Sequence, residues 1–390
     1  MRKADQQRGR FDDVRSFIGE LYGPELHAKR VDSLAGATFG VMMAASLAVS
    51  MIGHALAQAR GLVTKHAVKQ VDRLLSNNGI DVWDSFARWV PHQIGGRQDI
   101  LVAMDWTAFD HDDQATLVLG LVTSHGRAAP LLWLSVWKEE LKNRRNDYED
   151  ACLRRLSELV PSGCRVVILA DRGFGDQKLF AFLGELGFDY VIRFLGNIGV
   201  TNADGQTRPA AEWVGKGGRA CKLRDARVTA KGQQVGAVAC VHAKGMKEPW
   251  CLATSLRDAT AATLVHYYAK RWTIEPQLRD TKDLQFGMGL SSTRIGEPTR
   301  RDRLLLISAF ATALLTLLGA VGESLGMDRL LKSNTSKTRT HSLFRQGCML
   351  YDLIPNMPEH RLLPLMQKFN EAISNAAMLS SVFCRSAMRG

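Results

Sequence analysis

The sequence is poor in cysteine, and none of the seven (Cys152, Cys164, Cys221, Cys240, Cys251, Cys348 and Cys384) stands in a metal or redox spacing. Without a CxxC pair or zinc-type grouping, a zinc ribbon, a thioredoxin-type dithiol and a disulfide-stapled secreted domain are all disfavoured. Reduced thiols, many of them buried, are expected. The opening MRKADQQRGRFDDVRSF has neither the apolar core nor the cleavage site of a secretory signal, which predicts a cytoplasmic protein. Internal repeats and low-complexity tracts are also missing, so solenoid architectures do not apply. The remaining deficit is in acids. Against 51 Lys and Arg stand 39 Asp and Glu, leaving a formal charge of +12. Such a balance favours polyanionic partners and salt-sensitive association, with nucleic acid first, although charge alone does not decide the matter. With 46% hydrophobic and 23% charged residues over 390 positions, the chain can bury a full core.

Two uncharged stretches, Ala35 to Ala59 and Leu304 to Gly322, are long enough to span a bilayer. The first is rich in Ala, Gly and Ser and carries His54 and Gln58, and neither has aromatic belts at both ends. Buried, close-packed helices are therefore expected rather than membrane spans. In TKHAVKQVDRLLSNNGI, Val68, Val71, Leu74 and Leu75 predict an amphipathic helix stopped by Asn77-Asn78-Gly79. Lys65, Lys69 and Arg73 line another side of it, as a DNA-facing or simply solvated face.

From residue 100 the pattern changes to short apolar runs, ILVAMDW, ATLVLGLVTS and LLWLSVW, which predict an antiparallel meander. A helical stretch, DYEDACLRRLSELV, leads to CRVVILADRGF, then to the helix DQKLFAFLGELGF and the strand YVIRF. The order βββαβαβ implies a covered mixed sheet. Residues 195 to 250 are Gly-rich, strand-like and basic; Lys216, Arg219, Lys222, Arg224, Arg227 and Lys231 share only Asp225 as an acid between them. An inserted β-element is expected there. Helical patterns return from Leu264.

Three carboxylates carry the chemistry. Asp105 ends the run ILVAM and Asp171 ends RVVILA, both at expected strand ends, where α/β sheets display functional groups. Either alone could be a turn former or, beside Arg172, half of a salt bridge. Glu275 lies in YYAKRWTIEPQLRDTKD, residues 267 to 283. On one helix, steps of about 100° per residue from Tyr268 place Arg271, Glu275 and Lys282 near about −60°, −20° and −40°, on one narrow face. Two strand-end aspartates with a helix-borne glutamate form a hard-oxygen set suited to two Mg ions flanking a phosphodiester.

At these residues the sequence resembles the DDE transposases of bacterial insertion sequences, in the branch with a Tyr-x2-Arg-x3-Glu-x6-Lys signature. Tyr268, Arg271, Glu275 and Lys282 match every signature position, supported by DW at 105, DRGF at 171 and EPWCLATSL at 248 to 256. The resemblance extends from about residue 60 to residue 350. It implies an α/β, ribonuclease H-like mixed sheet with a β-strand insertion, flanked by helical N- and C-terminal regions. It further implies that Asp105, Asp171 and Glu275 are the catalytic, Mg-binding triad (Mn may substitute) and that Tyr268, Arg271 and Lys282 grip DNA phosphates. Trp250 matches the tryptophan on which a flipped base stacks during hairpin formation, although an ordinary core role is the competing reading. The implied partners are double-stranded DNA, as terminal inverted repeats and target, and a second protomer in the synaptic complex. No membrane is implied; the location would be the cytoplasm, at the nucleoid.

The expected division is a DNA-binding helical region over 1–98, the first part of the core over 99–194, the β-rich insertion over 195–250, the remaining core over 251–322 and a helical region over 323–390. Pro276 makes a continuous helix from 267 doubtful; with Thr273 as N-cap, the proline would fall in a first turn. Asp110, Asp112, Asp113, Asp176, Asp280 and Asp283 are assigned to turns and surfaces. The alternative function is a non-catalytic protein that binds DNA ends.

Overall fold

The computed structural model describes residues 3–374 of the chain. Five helices come first: α1 (Lys3–Tyr22), α2 (Ala28–Ala44), α3 (Val49–Arg60), α4 (Thr64–Leu75) and α5 (Val82–Ile94). The apolar run from Ala35 to Ala59 is thus not one rod. Ala45 adopts a left-handed φ of 45°, and α2 and α3 meet at 97°. In the break, the Leu47 amide donates to the Met288 carbonyl, so the bend is tied to a distant loop. On α4 the buried face is Ala67, Val71, Leu74 and Leu75, with Val68 only half-buried. Helix α3 crosses α4 closely at this residue: Gly53 packs so tightly on the Val68 backbone that a Cβ would collide with it. Lys65, Lys69 and Arg73 all face solvent.

The next elements are β1 (Asp99–Phe109), β2 (Gln114–Val122), β3 (Ala128–Trp137), α6 (Arg145–Leu159), β4 (Arg165–Ala170), α7 (Gln177–Glu185) and β5 (Asp189–Phe194). The meander is present, with β1–β2 and β2–β3 antiparallel, while β1, β4 and β5 run parallel through the two helical crossovers. Residues 195–250 hold β6 (Gly199–Thr201), β7 (Thr207–Pro209), β8 (Cys221–Arg224), β9 (Arg227–Val228), β10 (Gln233–Gln234) and β11 (Ala237–Val241); β12 (Trp250–Thr254) follows. Strands β10, β9, β6 and β7 form a small sheet of their own. By contrast, β8, β11 and β12 extend the main sheet, whose order is β3-β2-β1-β4-β5-β12-β11-β8. This is a mixed α/β architecture with a large mixed sheet and flanking helices, consistent with a ribonuclease H-like fold. Every residue of β2 is buried, as a sheet covered on both faces requires.

The chain closes with α8 (Ala261–Lys270), α9 (Ile274–Lys282), α10 (Pro298–Ser324), α11 (Leu343–Leu353) and α12 (Glu359–Ser374). Helix α10 carries the second apolar run and is long and apolar enough to cross a membrane, yet 83% of that window is buried within the protein. Phe310 explains the burial locally: its ring meets Phe17 of α1, Tyr22 of α1 and Trp89 of α5, so the N-terminal helices pack directly on α10. The charged first turns of α10 are also satisfied internally. Arg303 donates to the carbonyls of Leu75 and Ile80, and Asp302 accepts from the Ser135 amide. Six of the cysteines are free thiols, four of them buried; Cys384 lies outside the described residues.

Candidate active site

The strand register builds half of the site. In the parallel β1–β4 ladder the last partners are Met104 and Ala170, so Asp105 and Asp171 follow side by side on neighbouring chains. Parallel neighbours lie about 4.8 Å apart, which brings the two carboxylate-bearing residues onto adjacent chains. Asp171 leaves β4 at its end and its Oδ1 accepts from the Gly173 amide at 2.8 Å, capping a short turn over Arg172–Phe174. Asp105 does not end its strand. It pairs with Val118 of β2, and β1 continues to Phe109 because β2 remains paired with it that far. What ends at residue 104 is only the ladder on the β4 side.

The other half is helical. Helix α8 ends at Lys270, a tight single turn covers Arg271–Thr273, and α9 begins at Ile274. The doubt about a continuous helix from 267 is thus met by an interruption, although Lys270, Arg271, Thr273 and Ile274 across the junction keep right-handed helical angles. Pro276 falls in the first turn of α9, where its missing N–H costs nothing. Thr273 precedes α9 as expected but makes no capping bond; its hydroxyl donates to the Lys270 carbonyl instead. Contacts along the stripe persist across the junction. Arg271 Nη2 donates to Glu275 Oε1 at 2.8 Å, and the guanidinium carbon lies 5.8 Å from the centre of the Tyr268 ring. Lys282 Nζ donates to Thr107 Oγ1 and to the Ala108 carbonyl, both at 2.8 Å, which fastens α9 onto β1 beyond Asp105.

The two halves meet electrostatically. Burial pushes the Asp105 carboxyl up to about 6; Arg271 pulls it down, and the charges of Asp171 and Glu275 push it further up. Asp105, Glu275 and Lys282 line one open cleft. The donor set fits a divalent cation: three hard carboxylates whose mutual repulsion a cation would relieve. The fit is not that of a finished cage, since no group of three His, Cys, Asp or Glu among the described residues is drawn together tightly enough to be one. Glu275 spends one oxygen on Arg271, and Asp171 one on the Gly173 amide.

Trp250, at the start of β12, is half-buried and meets Tyr268 edge to face, with ring centres 4.8 Å apart. Glu248, just before it, accepts from Arg172 Nη1 at 2.9 Å and Arg193 Nη2 at 2.8 Å. This bridge links the turn that follows Asp171 to the segment bearing Trp250.

Sequence reasoning missed one supporting group. Trp106 Nε1 and Arg145 Nε both donate to Glu149 Oε1, at 2.8 and 3.0 Å, directly beneath the Asp105 strand. Glu149 reads as part of a polar, solvated helix; only tertiary burial, which pushes its carboxyl up against the pull of Trp106 and Arg145, marks it as internal. Two acids assigned to turns and surfaces are also interior ones. The side chain of Asp112 is 8% exposed and pairs at 2.6 Å with Arg301, which is fully buried, and Asp280 pairs at 2.7 Å with Arg127. Both sit where α9 and α10 pack on the sheet, so their cations come from residues remote in sequence.

Residues 142–312 match a family model described as "Transposase DDE domain". The match supports a DDE transposase family. It spans Asp171, Trp250, Tyr268, Arg271, Glu275 and Lys282, and begins downstream of Asp105, which joins this set through the β1–β4 register. No curated protein matches the chain.

Proposed function

We propose that the protein is a cut-and-paste transposase that cleaves the ends of an insertion sequence and joins them to target DNA. The observation that carries this reading is the parallel register that sets Asp105 beside Asp171, with Asp105 within reach of the charges of both Asp171 and Glu275, in a chain whose central segment matches a transposase domain. Asp105, Asp171 and Glu275 would hold Mg, with Mn as a substitute. When bound, the metal supplies charge neutralisation at the scissile phosphate and activation of the attacking oxygen.

The protein's own groups do the positioning. Arg271 is buried, and its Nε–H has no hydrogen-bond partner, an expensive arrangement that a phosphate oxygen would satisfy. Lys282 uses two of its three donors on β1, which aims the ammonium along the cleft and leaves one N–H for the DNA backbone. Tyr268 lies beneath both Arg271 and Trp250, so a base stacked on Trp250 would be held in fixed relation to the phosphate clamp. In this reading the freed 3′ hydroxyl attacks the opposite strand to form a hairpin, and Trp250 receives the base displaced by that sharp turn. The exposed Lys65, Lys69 and Arg73 of α4 supply part of the contact with terminal repeats. Two protomers assemble the ends, and the reaction takes place at the nucleoid.

The test is incubation of the full chain with labelled duplex DNA copied from the sequences flanking its gene, with and without Mg. Metal-dependent nicks followed by hairpins are expected. Tight, sequence-specific binding without cleavage in Mg or Mn would instead assign the chain to the class of non-catalytic end-binding proteins.

A further inference from the structure

Directly after Lys282 the chain forms a short loop that is firmly anchored yet displays apolar side chains to water. Asp283 Oδ1 accepts from the amides of Gln285 and Phe286 at 2.8 and 2.6 Å, and the Gly289 amide returns to the Asp283 carbonyl at 2.9 Å. Met288 is buried; its amide donates to Asp280 and its carbonyl accepts from Leu47. At Gly287 any Cβ would run into the Arg279 and Asp280 carbonyls, so the loop backbone lies flat on the end of α9. Against this fixed base Leu284 is 72% exposed and Phe286 62% exposed. Leu284 is the most exposed large hydrophobic side chain among the described residues, and it lines the same cleft as Asp105 and Glu275.

Single exposed hydrophobics are ordinary. Here two of them, at i and i+2, project from a loop whose backbone is held by at least five hydrogen bonds. A partner would therefore meet a preformed apolar edge with little ordering left to do. Its chemistry is set by the neighbours. Arg279 and Lys282 line the cleft beside Leu284, and an apolar tip flanked by cations matches the stacked bases and phosphates of a duplex better than the apolar core of a protein interface.

We propose that Leu284 and Phe286 form a wedge that enters the base stack of duplex DNA next to the bond being cut. The proposal rests on the transposase reading and assigns to that site the opening of its substrate. The loop's fixed backbone supplies the rigidity, Lys282 and Arg279 hold the flanking phosphates, and the two side chains replace the stacking contacts that the parted bases lose.

The experiment uses the full chain and the same flanking duplex, with 2-aminopurine in the two base pairs beside the cleaved bond. Wild-type protein should raise the fluorescence, as should Asp105→Asn, which keeps the wedge and cannot cut. The double variant Leu284→Ala/Phe286→Ala should lose the rise and cut intact duplex roughly tenfold or more slowly, while a duplex with a mismatch at that step should restore cutting to within about twofold. Phe286→Trp, which keeps a large apolar ring, should retain both signals. Both residues are exposed, so the unfolding midpoint should not move, and this reading separates a lost wedge from a damaged fold. Equal fluorescence and equal cutting by wild type and the double variant would overturn the proposal. So would a double variant that binds and opens DNA normally but loses self-association, because the edge would then belong to a second copy of the chain. A wedge-dependent fluorescence rise without any cleavage would leave the wedge standing and remove the catalytic reading beneath it.

Discussion

Asp105 and Glu275 face one cleft from two kinds of support. Asp105 is fixed by a sheet: its backbone is locked to β2, its neighbour Asp171 arrives through the β4 register, and the cation that pulls its carboxyl down, Arg271, comes from the helical half of the site. Glu275 is fixed by a helix that brings its own counter-charge, since Arg271 one turn earlier holds it at 2.8 Å. The sheet gives positional accuracy and leaves its charge to be balanced from the helical side, whereas the helix carries its own counter-charge and leaves the carboxylate 39% exposed. A site that must receive both a cation and a phosphate needs each kind. In the proposed reading the two aspartates would attract the metal, and the Arg271 that shields Glu275 would become available to the DNA.

The sharpest break of this contrast is removal of charge from either support. Asp105→Asn, Asp171→Asn and Glu275→Gln should each lower strand cleavage by roughly a thousandfold or more while end binding in gel shifts stays within a few-fold, because each removes a donor and little packing. Next in size is Arg271. Arg271→Ala should reduce cleavage by roughly 100-fold and destabilise the fold, since it strips a buried clamp and uncovers Glu275; Arg271→Lys should not restore cutting, as an ammonium cannot present the same planar donors. Single-turnover cleavage with thermal unfolding on the same preparations checks both effects.

Trp250 sharpens the comparison at the edge where β12 meets α8. Trp250→Ala should leave the first nick nearly unchanged and slow hairpin formation by about 5- to 150-fold, the worth of one stacked base. If the ring serves only the core, truncation should cost about 3 to 5 kcal/mol of stability and depress every step together. Following nick and hairpin separately on labelled ends distinguishes these outcomes.

The smallest effect is on stability. The unfolded Asp105 carboxyl titrates near its ordinary value of 3.8 and the folded one near about 6. Between these values the folded state holds the proton that the unfolded chain has lost, so metal-free stability falls as pH rises through that window and the penalty is complete above it. Asp105→Asn should therefore raise metal-free stability at neutral pH by about 1–2 kcal/mol, and flatten its decline between pH 4 and 6, measured by denaturant unfolding in chelator. A destabilised Asp105→Asn would show that the sheet does compensate this charge.

The sequence made much of this legible because the informative parts are local. The alternation and length of the apolar runs give β1 to β5 in order, and the Tyr268–Lys282 spacing gives a helical stripe even though the helix is re-nucleated at Ile274. Long-range consequences were not legible. Nothing near Asp112 or Glu149 in sequence announces Arg301 or Trp106 as partners, and a polar pattern looks the same whether its far side is water or a neighbouring strand. Asp105 looked like a strand end because the apolar run stops there, while backbone pairing with β2 carries the strand four residues further. The left-handed Ala45, which breaks the first apolar run, has no signal in a residue type that favours helix.

The central claim is that Asp105, carried by the sheet beside Asp171, is a metal ligand. Its most direct test is Asp105→Cys, assayed for strand cleavage of end DNA in Mg and then in Mn at equal protein and DNA-binding occupancy. A thiolate is a poor ligand for hard Mg and a better one for softer Mn. The account predicts no detectable cleavage in Mg and a partial return of cleavage in Mn, with wild type active in both. Cleavage in Mg at near wild-type rate, or a folded, DNA-bound variant equally inactive in both metals, would contradict it.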